Sequence, residues 1–421
     1  MKFNYSSIIF AFLFFSSIET SYSQKQFDLD LLVNHETTNI PSIDIDSSYE
    51  NFDKIGGAVG NSRIVMLGEQ EHGDGLSFKA KAKIIEYLVN EKGFNLVAFE
   101  SSFYNFTDND NSIFPDSTYG NYLKDNIYYD WAYCSYVQSL IFDFLPKHRN
   151  VKICGIDPQV MFTKSSSKIT PRLDSIFQAL KLPITQAQDY ASNMQAIDSL
   201  MRLSDINIDK QSSLLKDLTN RILPFIEKVR NEVGDRIEKN NYLLQALNNI
   251  YADAQLLNEF AKKMRNFVKA GNIRDLQMAE NLQWLADIKY PKSKIIVWAA
   301  NPHVNRTNEG VSVWSSQSMG YDFSLNRIGV NRPYIIGFTA NSGLSYRIGE
   351  RTKLEIKSAS VNTLEYSLHQ KGYKYAFINF PDTMSDFKFK MRGGFGYEFQ
   401  KKTWKTYYDG MFYIDVMKPC L

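Results

Sequence analysis

Cysteine is scarce in this 421-residue chain, with three residues, and so is histidine, with five. Three cysteines exclude a disulfide framework as the main source of stability; one bridge and three buried thiols both fit the count. An excess of one charge is missing too. With 48 basic and 46 acidic residues the net charge is +2, which offers no footprint for nucleic acid or an anionic membrane surface. After the first residues no apolar run approaches the length of a membrane span. No internal repeat or low-complexity tract appears. There is no Gly-x-Ser-x-Gly elbow, no HExxH and no His-x-His spacing, so serine-nucleophile and common zinc signatures are both lacking.

What is present is a globular composition, 44% hydrophobic and 22% charged, in a length that suits two or three domains or one large domain with an insertion. Aromatic residues reach 14%, which serves either extra core or an aromatic-lined groove. Lys2, the apolar stretch Ile8 to Phe15 and the small residues Ser21 and Ser23 have the order of a secretory signal peptide over residues 1–23, cleaved near Ser23. That predicts an exported chain, periplasmic or extracellular, and no cysteine near the cut offers a lipid-anchor acceptor. Residues 24 to about 60 read as a polar lead-in.

The fold signal starts at Ile64-Val65-Met66-Leu67, a run without polar alternation that reads as a buried strand. It stops at Gly68 and delivers Glu69, Glu71 and His72. Apolar positions from Leu76 to Val89 then recur at helical spacing, with Asp74 as N-cap and Gly93 as the stop. Short apolar runs ending on polar residues follow: Leu96 to Phe99 before Glu100, Val151 to Ile156 before Asp157, and Ile295 to Ala300 before Asn301 and His303. Two more are Tyr334 to Phe338 before Thr339, and Tyr375 to Ile378 before Asn379. With helical stretches between most of them, they predict an α/β fold with a mainly parallel sheet covered by helices. Between Pro171 and about Lys289 only helical periodicity appears, which predicts a helical insertion over the sheet's carboxyl edge. In such sheets ligands bind at that edge. Glu69, His72, Glu100, Asp157, Asn301 and His303 are therefore predicted to share one cleft.

Histidine is suited to taking a proton near neutral pH, and a neighbouring carboxylate fixes its tautomer. Glu69 or Glu100 can do this for His72, which leaves water as the nucleophile. A metal site drawn from Glu69, His72, Glu100 and His303 is the competing account. His35, His148 and His369 lie away from the edge and read as ordinary surface or packing residues.

These pieces resemble the erythromycin esterase family. The resemblance rests on Leu67-Gly68-Glu69-x-x-His72-Gly73, Lys92-Gly93-Phe94, Val97-Ala98-Phe99-Glu100 and Gly155-Ile156-Asp157. It continues through Arg274-Asp275-x-x-Met278-Ala279-Glu280-Asn281, Trp298-Ala299-Ala300-Asn301-Pro302-His303-Val304, Met319-Gly320 and Ile336-Gly337-Phe338, from about residue 50 to the end. The resemblance implies a metal-independent hydrolase without cofactor, opening an ester or lactone by water attack. It assigns His72 as general base, with Glu69, Glu100 and His303 catalytic, and places Arg274, Asn301 and Asp157 against the substrate. Arg274 is expected to steady an oxyanion or to pair with Asp275 or Glu280. The family segment usually carries two histidines, and here the first is Ala300, which weakens the inference to macrolides and antibiotic resistance. The implied partner is a small-molecule ester or lactone, with no nucleic acid and no membrane anchor. Oligomeric state is not legible. An exported haem- or iron-binding module on the same scaffold is the alternative reading.

Overall fold

A computed structural model describes residues 29–420 except 107–114, 161–168, 204–207, 239–240, 263–264, 310–315 and 348–352, so the expected signal peptide lies outside the described residues. Nine strands form one sheet: β1 Thr37–Asn39, β2 Ile64–Leu67, β3 Leu96–Ser102, β4 Lys152–Asp157, β5 Ile295–Trp298, β6 Tyr334–Ser345, β7 Leu354–Ile356, β8 Tyr375–Asn379 and β11 Gly410–Met417. Strands β9 (Phe389–Met391) and β10 (Gln400–Lys402) make a separate ribbon. The order is β1-β8-β11-β6-β2-β5-β3-β4, with β7 beside β6. Every pair from β11 through β6, β2, β5 and β3 to β4 is parallel. The sheet is thus mainly parallel and flanked by helices, and β2 lies near its middle.

Strand period two divides the core. Ile64, Met66, Leu96, Ala98, Ile295 and Val297 face one apolar cluster, while Val65, Leu67, Val97, Phe99, Ile296 and Trp298 face another. The second cluster includes helix α1 (Gly75–Lys92), which Gly93 ends at φ +70° in the left-handed region. The first takes in the helices between β4 and β5: α2 Ile169–Ala179, α3 Tyr190–Met201, α4 Ile208–Val233, α5 Tyr242–Ala261 and α6 Phe267–Gln283. These helices were expected over the carboxyl edge; α2 to α5 pack mainly on one another, and α6 packs against β4. Asn281 on α6 donates to Ile156 O of β4 at 2.7 Å, and α6 alone brings Arg274 and Asp275 to the edge residues.

Several strand ends differ from expectation. β3 continues through Glu100 to Ser102, with irregular pairing to β4 between Phe99 and Ser102. β5 stops at Trp298, and Ala300 precedes a short helix, α7 Asn301–Val304. β6 runs through Thr339 to Ser345. β8 is antiparallel to β11, so Asn379 sits at the opposite edge. The lead-in contributes β1, paired to β8. Cys134 and Cys420 form a disulfide, and Cys154 is a buried free thiol.

Candidate active site

The turn after β2 is held by backbone contacts that leave no space for side chains at its glycines. A Cβ on Gly68 would stand 2.0 Å from Asn301 Oδ1, and one on Gly73 would stand 2.4 Å from the Tyr346 carbonyl carbon. Glu69 O accepts from Asn301 N at 2.7 Å, and Gln70 Nε2 donates to Phe338 O at 3.1 Å and to Arg392 O. Asp74 does not cap α1 with its side chain. It accepts from Glu71 N at 3.0 Å and Tyr397 OH at 2.7 Å, closing the turn on itself. Burial pushes the Asp74 carboxyl up to about 7 against these bonds.

This frame points Glu69 inward and His72 to the opening. Glu69 is fully buried, with His72 Nδ1 at 3.1 Å from Oε1 and the Lys81 ammonium on Oε2. His72 keeps 13% side-chain exposure, and its ring stands edge-on to Tyr128 at 5.1 Å and Trp131 at 5.6 Å. Lys81 also donates to Ala299 O at 3.1 Å and lies over the Trp298 ring. Burial lowers its ammonium to about 8, while Glu69 opposes that shift. Lys81 went unrecognised in the sequence. The signal was Lys79-Ala-Lys81-Ala-Lys83: three lysines two apart spread around a helix too far for all to reach solvent.

The second half of the site centres on Arg274. Its guanidinium donates to Asp157 through Nε at 3.1 Å and Nη2 at 2.5 Å, and to Glu100 Oε1 at 2.7 Å. The expected pairs with Asp275 or Glu280 are therefore replaced by partners on β3 and β4. Asp275 instead takes His303 Nδ1 at 2.6 Å, while Nε2 lies 3.3 Å from Glu100 Oε1 and 3.1 Å from Arg274 Nη1. For His303 burial opposes the charged ring, and Arg274 pulls the same way. The two carboxylates, one at each ring nitrogen, prevail and raise it to about 9. Burial also opposes charge on Glu100, but His303, Arg274, His72 and the Ala300 N–H at 3.0 Å hold its carboxyl down at about 2. Glu100 thus joins His303 and Arg274 in one cluster, at 3.3 and 2.7 Å.

Asn301 stands apart from the other residues assigned to the cleft. It is fully buried, donating to Phe338 O at 2.9 Å and accepting from Phe338 N at 3.1 Å, so no atom remains to meet a substrate. Asp157 is 3% exposed and serves Arg274. Ala300 is buried at 1% exposure. Among the described residues no group of three or more His, Cys, Asp or Glu is arranged to hold a metal, and no helix is long and apolar enough to cross a membrane. His148 bonds Phe144 O at 2.8 Å and His369 pairs with Asp415 at 2.8 Å, both remote from this cluster.

A family model described as erythromycin esterase matches residues 89–415, from the end of α1 onward. YbfO of Bacillus subtilis (strain 168), a hydrolase by name, is 25% identical over 388 residues, covering 85% of this chain and 84% of that protein. Erythromycin esterase type II of Escherichia coli is 23% identical over 287 residues, covering 62% of this chain and 65% of that protein. Among solved structures, a Bacillus cereus protein superposes with a TM-score of 0.69 at 17% identity, covering 94% of this chain and 98% of that one. A histidine-to-asparagine mutant of the erythromycin esterase EreC, in its open conformation, gives 0.66 at 15% identity, covering 93% and 97%. At such identities the superpositions show a shared fold.

Proposed function

This chain belongs to the erythromycin esterase family and is a hydrolase; from that premise we propose that it cleaves a carboxylic ester or lactone by water attack, with His72 as general base. The observation that carries this reading is the division of labour on the His72 ring. Glu69 holds Nδ1, and Nε2 has no hydrogen-bond partner among the described residues. Nε2 takes a proton from water as the water oxygen bonds to the carbonyl carbon. Glu69 then faces the imidazolium so formed. The carbonyl oxygen gains negative charge as its carbon becomes tetrahedral. When the tetrahedral intermediate collapses, the C–O bond to the leaving alcohol breaks and His72 returns the proton to it. The products are an acid and an alcohol from an open-chain ester, or a single hydroxy acid from a lactone.

Metal independence is supported by Arg274, whose guanidinium already compensates Glu100 and Asp157. Export is supported by the Cys134–Cys420 bridge, a pairing that persists in oxidising compartments. The partly exposed Tyr128 ring beside His72 suits an apolar substrate. The test is hydrolysis by purified residues 24–421 across a panel of esters, lactones and macrolides, with and without a strong chelator. Turnover of an ester or lactone that survives chelation is expected. Activity that vanishes with chelator and returns with added metal would overturn the reading.

A further inference from the structure

The disulfide does more than close a long loop, because both of its halves touch the turn that carries His72. Cys134 follows Trp131 by three residues, and Trp131 with Tyr128 forms the aromatic wall against the His72 ring. Cys420 lies three residues past β11, and residues 418–420 run along the other side of the same turn. Cys420 N donates to Gly73 O at 3.2 Å, and Leu76 N donates to Lys418 O at 3.3 Å. Gly75 sits in the seam between the two halves. A Cβ there would be 2.7 Å from the Pro419 carbonyl and 2.7 Å from Tyr136 Cδ2, two residues past Cys134. Gly73 O also accepts from Tyr346 N at 3.3 Å and Gly75 N at 3.1 Å, so the tail shares this carbonyl with β6's extension and with the turn itself.

We infer that the Cys134–Cys420 bridge is a positioning element for His72, holding the aromatic wall and the C-terminal strap against the two sides of residues 73–76. The inference rests on His72 as base, but the strap can be tested without that assumption. Residues 418–420 follow β11 directly and, apart from the bridge, meet the turn through two hydrogen bonds of 3.2 and 3.3 Å. Freed from Cys134, they exchange those bonds with water at little cost, and the turn loses one flank. Cys134, Met417 and Cys420 belong to the second core, so loss of the bridge touches that core, while the first core contains none of them.

The experiment compares oxidised protein, protein reduced under native conditions, and Cys420→Ser, all well below their melting temperatures. Hydrogen exchange followed by peptide mapping reads the turn, and carbethoxylation reads access to His72. With the bridge absent, exchange at residues 73–78 should speed up about tenfold or more while β2 and β5 keep their protection. Carbethoxylation of His72 should quicken, and kcat for an ester should fall about 10- to 100-fold with little change in KM, as small misplacements of a catalytic group do. Exchange that stays slow at 73–78, or that rises equally across the sheet, would overturn the inference, the second outcome marking a global staple only. Full turnover in Cys420→Ser beside an inactive His72→Ala would overturn it as well. An active His72→Ala would instead remove the functional reading, leaving the exchange result to judge the strap.

Discussion

His72 and His303 follow adjacent parallel strands at one edge of one sheet, yet the two rings are held in opposite ways. His72 has a carboxyl at Nδ1 only, two aromatic neighbours and an unengaged Nε2. His303 has a carboxylate at each nitrogen and a guanidinium alongside. The first arrangement leaves Nε2 without a hydrogen-bond partner among the described residues, which suits a base. The second keeps the ring protonated up to about pH 9, so at neutral pH it serves as a cation or proton donor. A shared edge therefore does not imply a shared role: the neighbours supplied by α6 decide it. Asp275 and Arg274 come from that helix, whereas His72 has Glu69, itself paired with Lys81.

The comparison is most exposed to removal of the two rings. His72→Ala should lower ester turnover by roughly 10²–10⁴-fold, the range for loss of a general base, with an unchanged melting temperature. Unchanged turnover in that variant would end the assignment of the base. His303→Ala should also lose activity, but with a stability loss of about 3–5 kcal/mol by denaturant titration, because Asp275 and Glu100 lose a buried cation. If the two variants melt alike, the contrast between the rings is wrong.

Alkaline pH sharpens the contrast without mutation. The His303 ring titrates near 9 in the fold against 6.5 in its ordinary state. Its stabilisation is thus complete below pH 6.5 and is lost as pH rises through about 9, a contribution on the order of 3 kcal/mol. Glu100 runs the other way: held at about 2 against 4.5, it stabilises above pH 4.5 and loses that effect as pH falls towards 2. Because Lys81, lowered to about 8, works the other way at high pH, the test is the difference: from pH 7 to 9 denaturation midpoints should fall by more in the natural protein than in His303→Gln.

The smallest effect concerns Ala300. The site is filled, with 1% of the residue exposed and its N–H on Glu100. Ala300→His should cost about 1–3 kcal/mol from overpacking, read as a lower melting temperature, and should not create a second cleft imidazole. A variant as stable as the natural protein that also opens a macrolide would show that space exists there after all.

Read as sequence alone, the chain already pointed to β2 to β6 and β8 as strands and to Glu69 or Glu100 as the carboxylate beside His72. These are local facts: an apolar run of four buries a strand, and three residues of a tight turn bring a carboxyl to a ring nitrogen. Which charges meet across the fold was not legible. Arg274 had Asp275 and Glu280 close by in sequence, but its partners Glu100 and Asp157 lie 174 and 117 residues away. Lys81 looked like one of three helix lysines until Glu69 met it inside the core. Cys420 gave no hint that it would choose Cys134 over Cys154. Hydrophobic periodicity tells which side of an element is buried, because burial depends on each residue's own chemistry. Ion pairs and crosslinks depend on which element is packed opposite and in what register, and only the tertiary structure decides that.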